Sequence, residues 1–162
     1  MDISIIIILI VNVLFSLKGF RDATFFKRYM FHVDSILIRK EYIRLFTSAF
    51  LHGNSTHLLF NMLSFYFFAP VLLAAVGQVG LWSIYIGSLL AGNLLSLYIQ
   101  RKNGDYSAIG ASGAVSGVVF AAITLSPGMT LLIFFLPMPA YLYAVLYMVY
   151  SINGIRKQSD NI

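Results

Sequence analysis

Apolar runs separated by short polar clusters dominate the chain, and the clusters contain residues that end helices. Residues 3–17 form one such run, closed by Lys18-Gly19. Residues 58–76 form a second, closed by Gly77, and residues 81–99 a third, closed by the polar stretch Gln100–Asp105. Residues 109–125 form a fourth, closed by Ser126-Pro127-Gly128. The last run, 129–152, is interrupted by Pro137 and Pro139. Proline is comfortable in a helix's first turn and disruptive in its interior. A fifth helix is therefore expected to start near Pro139, leaving 129–136 as an interfacial or re-entrant piece. Runs of this length and apolarity predict membrane-crossing helices rather than the core of a soluble domain.

Composition sharpens that reading. Of 162 residues, 59% are hydrophobic and only 10% charged, with a mean hydropathy of +0.84. The pattern predicts a single all-α domain over 1–162, a polytopic transmembrane bundle. The first run lacks the basic flank and small-residue cleavage site of a signal peptide, so it reads as a retained span. There is no cysteine, which excludes disulfides and thiolate metal sites.

The connection 18–52 carries seven of the 11 basic residues, from Lys18 to Arg44, interspersed with Phe25, Phe26, Tyr29 and Phe31. Lys and Arg mixed with aromatics suit a segment lying on a membrane surface and give no sign of a nucleic-acid partner. Five spans would place all 11 basic residues on one side of the bilayer, which the positive-inside rule makes the cytoplasmic side.

Three polar groups fall where hydrocarbon is expected. His57 and Asn61 are four residues apart, hence one turn apart on one helix face. They read either as two donors aimed at one anion or as a buried pair locking helices together. Ser112 lies in Gly110-Ala111-Ser112-Gly113 at the start of the fourth run. Glycines on both sides permit a sharp turn and a close approach. A helix N-terminus also offers unpaired N–H groups to a developing oxyanion. Against this, Gly113, Gly117 and Ala121 recur every four residues, the spacing of close helix packing. Ser116 lacks the flanking glycines and reads as an interhelical hydrogen-bonding hydroxyl. His32 and His52 lie in the first connection, and His52 is placed to hold that loop. No helix-compatible third ligand accompanies His52 and His57, so a metal site is not expected.

These residues resemble the rhomboid intramembrane serine proteases, in order, spacing and membrane setting. Arg44–His52 followed by His57-Leu58-Leu59-Phe60-Asn61 is similar to that family's end of loop one and start of helix two. Gly110-Ala111-Ser112-Gly113 is similar to its nucleophile motif at the start of helix four. Ile43 stands where the family often has Trp. The resemblance implies a bacterial-type, inner-membrane, cofactor-free endopeptidase that cleaves transmembrane segments of membrane proteins, with five of six helices present. Ser112 would be the nucleophile, and His57 and Asn61 would form the oxyanion hole with the Ser112 N–H. Gly110, Gly113, Gly117 and Arg44 would give structural support. The resemblance also puts the active side outward, against the charge count, and outward is the expected orientation.

The family's base is a histidine on helix six, and none of the 50 residues after Ser112 is a histidine. The base is therefore expected beyond residue 162, and this chain by itself is expected to show little or no proteolysis, since serine needs an adjacent base. The competing reading is a non-catalytic rhomboid-like protein that binds transmembrane helices. A channel or transporter would need more polar residues along its spans.

Overall fold

The structure, a computed structural model, describes residues 2–133 and 136–159. Helix α1 (Ile3–Arg21) starts where the Asp2 carboxylate accepts the Ser4 N–H at 2.8 Å. It continues a turn past the expected stop at Lys18-Gly19. Lys18 and Arg21 in its last turn suit the negative end of the helix dipole. A Cβ at Gly19 would lie 2.9 Å from Leu51 Cδ2, so a side chain there would force the Leu51 side chain to shift.

The first connection folds into short pieces: α2 (Ala23–Tyr29), β1 (Phe31–His32), α3 (Val33–Leu37), α4 (Arg44–Thr47) and a 3-10 turn, Ser48–Phe50. Helix α5 (Ser55–Gln100) covers both the second and third runs, and its continuity is broken at Gly77, at φ 69° and ψ −178°. The Phe65 and Tyr85 rings touch with centroids 5.5 Å apart. Twenty residues of straight helix would separate them by about 30 Å. Arms 55–76 and 78–100 thus lie back to back, and the turn uses the left-handed region that glycine enters freely.

A two-residue strand, β2 (Ser107–Ala108), pairs antiparallel with β1, Phe31 opposite Ala108 and His32 opposite Ser107. Helix α6 (Ser112–Leu125) follows, then the ribbon β3 (Thr130–Ile133) and β4 (Leu136–Pro139), then α7 (Ala140–Ser159). The fold is mostly helical, but the two ribbons correct the all-α expectation. Of the segment 129–136, residues 130–133 and 136 fall in the second ribbon and 134–135 lie outside the described residues; prolines at 137 and 139 have no N–H for a helix. The fifth helix starts immediately after Pro139, as its sequence suggests.

Two helices, Ile3–Arg21 and Ser55–Gln100, are long and apolar enough to cross a membrane, whereas Ser112–Leu125 and Ala140–Tyr150 are shorter apolar helices. The main core joins Phe65, Phe68 and Leu72 of the first arm to Leu81 and Tyr85 of the second and to Val115, Val118 and Val119 of α6. A smaller cluster of Phe31, Val33 and Ile36 packs beneath the first connection.

If the Gly77 backbone sets the hairpin, Gly77→Ala should cost about 1–3 kcal/mol through its conformation alone, since φ 69° with ψ −178° is open essentially only to glycine and nothing lies within 4 Å of the added Cβ. Gly128→Ala, equally uncrowded but without a positive φ, should stay within about 0.5 kcal/mol of wild type. Reversible unfolding in mixed micelles measures both, and equal values would remove the conformational argument.

Candidate active site

Ser112 is the first residue of α6, with Ala111 as the N-cap. The chain enters this helix through Gly110, whose φ is +116°. A Cβ on Gly110 would lie 2.7 Å from His57 Cε1 and 2.9 Å from Nε2. Glycine is therefore required twice, for conformation and for space, and the His57 imidazole rests on the backbone two residues before Ser112. Half-buried Ser112 opens on a cavity of about 170 Å³ bordered by Gly92, Asn93, Tyr106, Ser107, Gly110 and Gly113, among others. The first N–H groups of a helix lack intrahelical partners. Here they belong to residues 112–114, all of which line the same cavity.

Asn61 is only 1% exposed. Its Nδ2 donates to the His57 carbonyl at 3.0 Å, and its Oδ1 accepts from the Tyr147 hydroxyl at 3.0 Å. That hydroxyl also lies 3.3 Å from the Ser112 carbonyl oxygen. Asn61 thus reaches Ser112 through α7, and neither Asn61 nor His57 borders the cavity. Among the described residues the Ser112 hydroxyl makes no hydrogen bond.

His52 connects three segments. Its Nδ1 lies 2.8 Å from Ser16 Oγ, which itself donates to the Phe50 carbonyl at 2.9 Å. Its Nε2 accepts the Ala111 N–H at 3.4 Å. Because the Ser16 proton goes to Phe50, the imidazole must carry its own proton on Nδ1. The Gly110 N–H donates to the Ser48 carbonyl at 3.0 Å, which makes a second tie between the loop and the strand-to-helix turn. Asn93 fastens the loop to the second arm of α5 by donating to Leu45 O at 2.7 Å and Ser48 Oγ at 3.2 Å. Burial, reinforced by the neighbouring His57 ring, pushes the His52 imidazole down to about 3.

Arg44 stands apart from the serine. Its guanidinium, 6% exposed, donates to the Lys27 and Met30 carbonyls, both at 2.8 Å, and to Glu41. That hydrogen bond holds the Glu41 carboxyl below the usual range. Arg44 therefore staples the first connection. On α6, a Cβ at Gly117 would collide with the Ser88 side chain, whereas one at Gly113 would meet Ser88 O only at 3.8 Å. The demand for a small residue falls chiefly on Gly117. Ser116 departs from its expected role: among the described residues its hydroxyl makes no hydrogen bond. Nor do three His, Cys, Asp or Glu side chains converge among them.

Tyr147 and Ser16 belong to the site in the structure but not to its sequence candidates. A signal for Tyr147 exists in the spacing of Tyr143, Tyr147 and Tyr150, one face of a helix. Each meets the first arm of α5: Tyr143 at Ser64 Oγ (2.9 Å), Tyr147 at Asn61, and Tyr150 against the Phe60 ring.

The sequence profile of the Rhomboid domain family matches residues 39–162. The chain belongs to the rhomboid family. It is 41% identical over 78 residues to YdcA of Bacillus subtilis, a rhomboid protease by name, covering 48% of this chain and 38% of that one. It is 32% identical over 140 residues to the mitochondrial Rhomboid protein 1 of Saccharomyces cerevisiae, covering 79% and 40%. It is 30% identical over 134 residues to the mitochondrial RHOMBOID-like protein 12 of Arabidopsis thaliana, covering 73% and 40%. The chain spans about 40% of the length of these relatives. As a rhomboid it is an integral membrane protein.

The buried imidazole makes a prediction about this rhomboid's pH response. An unfolded histidine takes up a proton near 6.5, whereas folded His52 resists protonation until about 3. Protons then favour the unfolded state, so stability is lost as pH falls from about 6.5 toward 3. His52→Gln should be less stable at neutral pH and should lose this part of the slope. Unfolding series at several pH values for both proteins check it, and identical slopes would contradict it.

Proposed function

We propose that this chain is the catalytic core of an intramembrane serine endopeptidase acting on transmembrane segments of membrane proteins. The observation that carries the reading is the position of Ser112: a half-buried hydroxyl at the N-terminus of a short apolar helix, facing a cavity. Helix α6 has 14 residues. At about 1.5 Å per residue it covers about 21 Å of a hydrocarbon layer about 30 Å thick. If its far end reaches the opposite surface, Ser112 lies below the membrane surface, at the depth of a transmembrane substrate. In the five-span arrangement proposed here, α1, the two arms of α5, α6 and α7 cross the bilayer. A bacterial inner membrane is one setting for it, and relatives named as mitochondrial make organelle membranes another.

In this scheme the Ser112 Oγ forms a bond to the scissile carbonyl carbon, and the negative charge moves to the carbonyl oxygen. The Ser112 N–H, which borders the cavity, stabilises that charge, and His57 and the second N–H of Asn61, which lie outside the cavity lining, would join it once the substrate opens a path to them. Tyr147 orients Asn61 by occupying its Oδ1. The C–N bond then breaks, and the leaving amine takes the proton that Ser112 gave up. Water hydrolyses the resulting ester. The proton needs a carrier, and a histidine beyond residue 162 is the proposed one.

One observation favours a second reading, a rhomboid that binds helices without cutting them: among the described residues no base meets the Ser112 hydroxyl. A fluorophosphonate probe separates the two when applied to the protein expressed from its natural reading frame. Catalysis predicts labelling that disappears in Ser112→Ala. Equal or absent labelling in both proteins would favour the binding role.

A further inference from the structure

Hydrogen bonds fix which segments share an end of the molecule. At one end, the Gln78 amide donates to Asp2 at 2.9 Å, so the start of α1 sits beside the α5 hairpin. At the other end, Ser16 meets His52 and β1 pairs with β2. This second end, which holds Ser112, collects the end of α1, the first connection and the end of the second arm of α5. Among the described residues these segments hold nine Lys and Arg residues and the acids Asp22, Asp34, Glu41 and Asp105, an excess of five positive charges.

Within the described residues this charge is not neutralised. Among the described residues the one ion pair is Arg44 with Glu41. The Asp22 carboxylate is engaged with backbone, accepting the Phe25 N–H at 2.9 Å. Arg21, Lys27, Arg39, Lys40 and Lys102 are exposed and meet no carboxylate. Apolar side chains stand exposed among them: Ile38 at 70%, next to Arg39, and Tyr42 at 56% and Ile43 at 59%, just past Glu41. Lys18 and Arg101 lie over the rings of Phe25 and Tyr98, which keeps cation and aromatic at one level. A soluble acidic protein would match the charge but leave the isoleucines facing water. A bilayer with acidic headgroups matches both.

We propose that the Ser112 end of the molecule binds anionic lipid headgroups, with Arg21, Lys27, Arg39 and Lys40 meeting phosphates and Ile38, Tyr42 and Ile43 entering the top of the acyl layer. The proposal is independent of whether Ser112 is catalytic.

The test is lipid selectivity of the chain reconstituted in phosphatidylcholine bilayers, read as the motionally restricted fraction of spin-labelled phosphatidylglycerol against spin-labelled phosphatidylcholine. One basic residue near an anionic surface is worth about 1 kcal/mol, or about five-fold. Selectivity for phosphatidylglycerol of about five-fold or more is therefore expected. It should fall toward parity near 1 M salt, where screening acts within about 3 Å. The combined variant Arg21→Gln, Lys27→Gln, Arg39→Gln, Lys40→Gly should also approach parity. Glycine suits position 40, whose φ is 61°. Arg21→Lys with Arg39→Lys should retain the preference and serves as the folded control. Parity in the wild type, or a preference that survives either salt or the charge-removing variant, would overturn the proposal. Parity combined with binding of a soluble polyglutamate peptide would overturn it in favour of a protein ligand.

Discussion

A neutral imidazole with both nitrogens occupied holds the first connection, the first helix and the turn before Ser112 together. His52 is fully buried and joins Ser16 of α1 to the Ala111 N–H. Loss of that ring would leave the Ala111 N–H without its partner in an apolar setting, where an unmet group costs about 1–3 kcal/mol, while Ser16 would keep only its bond to the Phe50 carbonyl. The second tie, from the Gly110 N–H to the Ser48 carbonyl, depends on the same approach of loop to turn. Gly110 then makes room for His57, and Ser112 takes its place at the head of α6.

Membrane helices gain little from hydrophobic contact with one another, because lipid is as apolar as they are. Polar ties must therefore specify how these helices meet. Asn12 donates to Tyr85 across α1 and α5 at 3.1 Å, Ser64 meets Tyr143 across α5 and α7, and Asn61 meets Tyr147 one turn away. The last tie also touches the Ser112 carbonyl, so the site and the helix packing share one network. Shape does the rest where α5 meets α6, with Gly117 making room for Ser88.

Most of the helical order was legible in the sequence because it is local. Apolar runs marked α1, both arms of α5, α6 and α7, and Gly77 and Pro139 marked two boundaries. The ribbons were not legible. The β1–β2 pairing joins Phe31 to Ala108 across 77 residues, and nothing near either residue announces its partner. The candidate site was read in the same measure. Ser112, His57 and Asn61 stood out as polar residues in apolar runs. Tyr147 did not, since a tyrosine in a span looks like packing until its hydroxyl finds Asn61. His52 was read as a loop residue, and its reach to Ala111 depends on a turn that folds in from sixty residues away.

The protonation state of His52 is the most direct test of this account. Nitrogen-15 NMR of histidine-labelled protein in bilayers, with His52→Gln to assign the resonance, reports which nitrogen carries the proton. The expected result is a neutral ring protonated at Nδ1, with Nε2 as acceptor, unchanged from pH 8 to pH 5. An imidazolium at pH 5, or a proton on Nε2, would contradict it.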